Sequence, residues 1–326
     1  MRIFPAVLIF SALTLQCSAN AEELLESDLS RGQLFSKYIL SQAPGGGQIL
    51  SLDRDFIFPD DVETLAASGR PSVIGVDVSH HNTDGCNCEV DWAVMFDSGV
   101  RFVYAKASQG AGADPRLQTY MKGLNALPPA KKLYKGVYHF MSADGSGEDQ
   151  AEFFVANLDR KLASVGAKRQ PDDLPPVLDL EWDHRVNRRG KPIPCSDGQV
   201  HADCWATVSP DEIVARVGAW LKRVKELTGR EPLVYTSNEW VKGRLRDGQF
   251  ARLNAKLWLA QYLKHDKTGK RTLLTVSPSA PPHAQAPVWQ FSDRAQPPDE
   301  SNLSGVDASI YKGTLDDFKT AMQLPK

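Results

Sequence analysis

Pro176-Val177-Leu178-Asp179-Leu180-Glu181-Trp182-Asp183 is an apolar run opened by Leu174-Pro175-Pro176. The prolines are confined to its start, where a missing amide donor is tolerated, so the run reads as a strand. Side chains alternate along a strand, which puts Asp179 and Glu181 on one face, about 6–7 Å apart at the backbone. Two carboxylates on one face of a buried strand repel each other and resist desolvation. A fold gains nothing from placing them there. Hydrolysis of a glycosidic bond does need such a pair: one carboxyl protonated as general acid, the other ionised to answer positive charge at the sugar carbon. The plain alternative is a strand ending at the surface with its acids merely solvated. The stretches on either side decide between the two.

Upstream, Ser72 to Ser79 reads as a first strand with an acid, Asp77, near its end. Arg101 to Ala107 and Lys135 to Phe140 read as the second and third strands. Helical patterns fall between them over Asp91–Ser98, Arg116–Leu127 and Gly147–Val165. Downstream of the central strand comes a long polar insertion, Asp183 to Val208. Ser209-Pro210-Asp211-Glu212 then opens a helix: Ser209 caps, Pro210 suits the first turn, and Glu212 is placed to reach back as the box partner. That helix runs through Ile213, Val217, Trp220, Leu221 and Val224 to Gly229. Further strands are expected at 232–236, 257–262, 287–291 and 305–308, and Thr314 is expected to cap a last helix.

Strands alternating with helices argue for an α/β fold with a mainly parallel sheet. Eight strand candidates within about 240 residues favour a closed (β/α) barrel over an open sheet. The shorter, less helical links late in the chain make it an irregular, TIM-like barrel, read as a single catalytic domain over 71–326. Barrel chemistry gathers at the carboxyl ends of strands. Asp77, Lys106, His139, Asp179, Glu181, Tyr235, Tyr262, Gln290 and Asp307 are all expected near such ends, and this coincidence favours the functional reading of Asp179 and Glu181.

The 326 residues carry 38 basic and 40 acidic side chains, with no basic block, so nucleic-acid binding is not indicated. Met1-Arg2, the apolar run Ile3–Leu15 and Ala19-Asn20-Ala21 together read as a secretory leader cut after Ala21. The run is too short to span a membrane, and no other stretch approaches that length. Leu15-Gln16 before Cys17 is a poor lipidation signal. An exported protein, periplasmic or extracellular, is expected. Residues 22–70 read as a partly helical, partly loose extension outside the core. Export favours disulfides. Cys195 and Cys204 flank a short polar loop and are expected to pair, while Cys86 and Cys88 could close on each other or pair elsewhere. The spacing of these four cysteines matches no usual zinc pattern.

The ordered set Asp77-Val78-Ser79-His80-His81-Asn82, Lys106-Ala107-Ser108, Tyr138-His139-Phe140, Asp179-Leu180-Glu181, Tyr235-Thr236-Ser237, Trp289-Gln290 and Val306-Asp307 resembles glycoside hydrolase family 25, the Chalaropsis-type lysozymes. The resemblance covers about residues 74–324. It implies an irregular α/β barrel that cleaves the β-1,4 bond between N-acetylmuramic acid and N-acetylglucosamine. It further implies Glu181 as general acid, and Asp179 as stabiliser of the oxocarbenium ion or orienter of the substrate's acetamido group. Asp77 and Asp307 match the two further acids of the groove. Four acids so close push their proton affinities apart, which keeps one carboxyl protonated. Lys106, Tyr138, Tyr235, Trp258, Tyr262, Trp289 and Gln290 are expected to contact substrate, with Tyr235, Trp258 and Trp289 as sugar-stacking candidates. The implied partner is the peptidoglycan glycan strand, met by a monomer without cofactor. The chain departs from the pattern at Gln109 (often Glu), Asn82 (often Gln), Ala308-Ser309 (usually Leu-Asn) and the 183–208 insertion.

Two other readings compete. A non-catalytic peptidoglycan-binding module on the same fold would be expected to have lost the acid, yet Asp179 and Glu181 are both present. An exported metal-dependent polysaccharide deacetylase could use His80, His81, Asp77 and His139. Adjacent histidines on a strand, however, point to opposite faces, and no H-x-x-x-H or H-E-x-x-H helix occurs.

Overall fold

The computed structural model describes residues 56–83, 86, 88–187, 190–262, 273, 277–281 and 285–325. The expected leader and residues 22–55 of the expected extension lie outside them.

Among the described residues nine strands form one sheet: β1 (Ser72–Val78), β2 (Val100–Gln109), β3 (Gly112–Ala113), β4 (Tyr134–Phe140), β5 (Val177–Asp179), β6 (Leu233–Ser237), β7 (Lys256–Ala260), β8 (Val288–Ala295) and β9 (Val306–Lys312). Their order is β1-β9-β8-β7-β6-β5-β4-β2-β3, and β1 also pairs with β2, so eight strands close a barrel and β3 is a short hairpin partner of β2. Neighbours from β1 and β2 round to β8 run parallel. Of the eight barrel strands only β9 is reversed, antiparallel to both β8 and β1, while β3 runs antiparallel to β2 outside the barrel. The irregular α/β barrel expected from the sequence is therefore observed, with its irregularity at the last strand.

Alternation along the strands builds two apolar layers. Val73, Phe102, Tyr104, Tyr138, Val177, Leu233, Tyr235, Trp258 and Val288 fill the lumen. Val76, Val103, Leu178, Leu180, Val234, Leu257 and Ile310 face outward into the layer shared with the helices. Phe102 and Tyr104 fit inside because their neighbours are glycines. A Cβ on Gly75 would collide with the Phe102 ring, and one on Gly136 with Tyr104. The far end is plugged by α7 (Leu315–Ala321), whose Phe318 stacks on Phe102 at 4.9 Å, with Met322 and Leu324 behind it. Thr314 and Asp317 cap that helix reciprocally, as the sequence suggested for Thr314.

The outer helices are α1 (Asp60–Ala67), α2 (Trp92–Asp97), α3 (Leu117–Asn125), α4 (Gly147–Ala163), α5 (Pro210–Thr228) and α6 (Asn238–Arg244). In α5 the Ser209 side chain accepts from the Glu212 amide, Pro210 occupies the first turn, and Gly229 ends the helix at φ 71°. Glu212 does not reach back, however. It takes the Arg216 guanidinium at 2.7 Å, one turn on, where an ion pair replaces the second half of the box. Helices α4 and α5 approach so closely that a Cβ on Gly147 would strike the Arg216 carbonyl.

The stretch read as lying outside the core joins it from Phe56 onward. Phe56, Phe58 and Leu65 are buried in the outer layer, and Phe56 meets Phe291 edge-on at 5.0 Å. The central strand is also shorter than its apolar run, because the chain bends after Asp179. The Leu180 amide still donates to the Tyr235 carbonyl, so the alternation carries on to Glu181.

The 183–208 insertion is fastened at both ends. Asp183, buried, accepts from the Ala143 amide at 2.8 Å and pairs with Arg185 at 2.5 Å, and Arg185 also holds Asp144. Asp203, equally buried, accepts from the amides of Asp183 and Trp205 and pairs with Arg244 of α6 at 2.6 Å. Cys195 and Cys204 form the expected disulfide, and Cys86 pairs with Cys88.

Candidate active site

Asp77 sits near the end of β1 and Asp179 at the end of β5, whereas Asp307 is the second residue of β9. Expecting Asp307 at a carboxyl end is therefore incorrect. Because β9 runs backwards, its start lies at the mouth where the parallel strands finish, and Asp307 becomes the register partner of Asp77. A pocket opens there, lined by Asp77, Tyr138, Val177, Asp179, Tyr235, Trp258, Tyr262, Gln290 and Asp307. Glu181 is buried beside it, and its charge acts on the phenols of both Tyr235 and Tyr262.

Those phenols report the field of the site. Burial, then Tyr262, Glu181, Asp179 and Asp77, pushes the Tyr235 phenol well above its usual range. Burial, then Asp293, Asp307 and Glu181, does the same to Tyr262. Both therefore stay protonated and donate, and both donate to Gln290 Oε1, at 2.7 and 3.1 Å. Gln290 Nε2 donates in turn to Asp77 at 2.9 Å and lies 3.4 Å from Asp307. Trp258 forms part of the wall, its ring tilted over Tyr104 at 4.9 Å and its indole N–H on Ser309 at 2.9 Å. A concave site with convergent carboxylates and aromatic walls suits a neutral, hydroxyl-rich substrate that acquires positive charge as it reacts.

Not every residue named from the sequence reaches this pocket. Trp289 faces the outer layer, where its indole N–H donates to the Gln261 carbonyl at 2.7 Å and Lys312 lies over its ring. Adjacent strand residues point to opposite sides, so Trp289 and Gln290 cannot both face the lumen. Lys106 is in lumen phase, but it does not line the pocket: its amine donates to Gln109 at 2.7 Å and lies over Phe140. His139 is turned outward, bonded to Ser108 and Gln150 and stacked on Trp220. Its burial lowers the imidazole pKa to about 3, so it is neutral core.

Sequence reasoning also missed the buried acids Asp293 and Asp114. Asp293, farther along β8, is the first charge acting on Tyr262. Asp114, after β3, holds His80 at 2.9 Å and the Arg116 amide at 2.8 Å. Nothing in their local pattern separates either one from a solvated acid. The departures noted above have local work to do. Asn82 accepts from the Ser79 amide and donates to the Gly305 carbonyl, joining the end of β1 to the start of β9, and Ser309 anchors Trp258.

Residues 76–300 match the sequence profile of the glycosyl hydrolases family 25. The chain belongs to that family. As a family 25 member it is a glycoside hydrolase, and the barrel agrees. It is similar to an N,O-diacetylmuramidase of Arthroderma benhamiae, 26% identical over 259 residues that cover 79% of this chain and 88% of that one. A muramidase structure from Trichobolus zukalii is 26% identical with a TM-score of 0.52, over 77% and 99% of the two chains. The bacterial lysozyme of Streptomyces coelicolor shares the fold, with a TM-score of 0.55 at 23% identity over 77% and 96%.

Proposed function

We propose that this family 25 glycoside hydrolase is an N-acetylmuramidase, an exported enzyme that acts on peptidoglycan glycan strands in the periplasm or outside the cell. It would cut the β-1,4 bond between N-acetylmuramic acid and N-acetylglucosamine. The observation that carries the reading is the meeting of Asp77, Asp179 and Asp307 around one pocket, with Glu181 beside its tyrosines. Glu181 gives its proton to the leaving glycosidic oxygen. Asp179, ionised, faces the positive charge that develops at the sugar carbon or orients the acetamido group that attacks it. The crowding that keeps both phenols protonated also favours one acid of the group holding its proton. Both routes predict retention at the anomeric carbon.

The similar N,O-diacetylmuramidase and muramidase support the substrate class, and the two disulfides support export. The deacetylase reading loses His139, which lies under α4 and α5 rather than at the mouth. The test is release of reducing ends from purified peptidoglycan by wild type and Glu181→Gln. A loss of roughly 10²–10⁴ in rate is expected in the variant. Equal rates would remove Glu181 as the acid. Binding without cleavage by either protein would leave the binding-module reading standing.

A further inference from the structure

The polar groups of the pocket converge on one amide. Gln290 Oε1 accepts from Tyr235 and Tyr262, while Nε2 faces Asp77 and Asp307. The side chain is almost wholly buried and forms part of the pocket wall, with its polar atoms turned to these protein partners. Two phenolic donors fill the lone-pair sites of Oε1, which leaves the amide hydrogens one direction, toward the carboxylates. Turning the amide over would set its oxygen against two carboxylates. Chemistry thus assigns the orientation.

Asp77 and Asp307 are opposed across an antiparallel pair, a spacing of about 5 Å at the backbone. Two ionised carboxylates so placed drive each other apart or take up a proton. A neutral group with two donors at one end and an acceptor at the other can hold them together without adding charge. A carboxylate, a hydroxyl or an alkyl group at the same position cannot do all of this.

We infer that Gln290 is a positioning residue of the glycoside hydrolase, an amide clamp that sets the spacing of Asp77 and Asp307, and not a contact to the sugar. The inference rests on the proposed function. It ties β8 to β1 and β9 on one side of the amide and to β6 and the end of β7 on the other.

The test is Gln290→Glu, which keeps the shape and makes the clamp titratable. Facing it are Asp77 from β1, Asp307 from β9, Tyr235 from β6 and Tyr262 after β7. Beyond these lie Asp179 and Glu181 across the pocket and Asp293 along β8. All are acids or phenols, so the new carboxyl holds its proton more tightly than a free Glu. Protonated, it can still donate to one carboxylate; ionised, it repels both. With kcat and KM measured on peptidoglycan from pH 4 to 8, the variant-to-wild-type kcat ratio should fall about tenfold or more toward high pH, with KM within about threefold. A ratio flat across pH, or a raised KM at unchanged kcat, overturns the clamp.

Near-UV circular dichroism checks the fold. If Gln290→Glu does not fold, the Tyr235→Phe/Tyr262→Phe variant carries the test, since it strips the donors from Oε1 and frees the amide to turn. A kcat loss of about tenfold or more at near-normal KM supports the clamp, and unchanged kcat overturns it. An inactive wild type would sink the proposed function and the inference together. An active wild type with a flat ratio sinks the clamp alone.

Discussion

Asp77 and Asp307 are register partners across the β1–β9 pair, although one sits near the end of its strand and the other near the start of its own. The relationship exists because β9 is the single strand of the barrel that runs backwards. It also places two acids where a stabilising pair would be expected to combine opposite charges or apolar groups. A site that must answer positive charge at a sugar has a use for them.

Asp307→Asn should fold and lose activity, with kcat on peptidoglycan down roughly 10–10³-fold and KM little changed, and Asp77→Asn should behave alike. The check is steady-state kinetics beside a thermal melt. Full activity in either variant would remove that acid from the chemistry.

Gly75→Ala and Gly136→Ala should each destabilise by about 1–3 kcal/mol, because the added methyl enters space held by Phe102 and Tyr104. Urea unfolding measures the loss. Combining Gly75→Ala with Phe102→Leu should recover part of it, and strict additivity in that double-mutant cycle would contradict the packing account.

His139 makes stability depend on pH. Its imidazole titrates at about 3 in the folded protein and about 6.5 when unfolded, so its contribution is complete above pH 6.5. As pH falls through that window the unfolded chain binds a proton that the folded one refuses. Stability should then drop by up to about 1.4 kcal/mol per pH unit, levelling off only near pH 3. Unfolding free energies from pH 7 to 4 check this. His139→Gln should flatten the slope, and an unchanged slope would show that other groups cause it.

Replacing Cys195 and Cys204 by Ser should cost about 2–3 kcal/mol by the loop-entropy account, since the bridge closes a short loop of 9 residues' separation. Part of that loss should appear as local opening of the insertion, because Asp183–Arg185 and Asp203–Arg244 anchor it independently. Hydrogen exchange across 195–204 would reveal this opening. Uniform loss of protection over the whole barrel would instead make the bridge a global clamp.

Much of the architecture was legible before any coordinates. Ser209-Pro210 and Gly229 bracket α5 in the sequence as they do in the fold, and the ordered motifs from Asp77 to Asp307 led to the family. These signals are local, each residue acting on backbone within a few positions. What went unread depended on partners remote in sequence. Phe56 and Phe58 look like loop residues until Phe291 and Gln296 lie beside them. The misplacement of Trp289 was avoidable, since alternation forbids it the side that Gln290 takes.

The residue types alone determined that this chain would build alternating strands and helices, carry acids near strand ends and place Asp179 and Glu181 on one face. The direction of β9, the meeting of Asp77 with Asp307 and the convergence on Gln290 were decided only by closure of the barrel. An alternating strand pattern reads the same in both directions, so the chain cannot state locally which way its last strand will run. That choice falls to the hydrogen-bonding edges of β1 and β8, which exist only once the other strands have assembled.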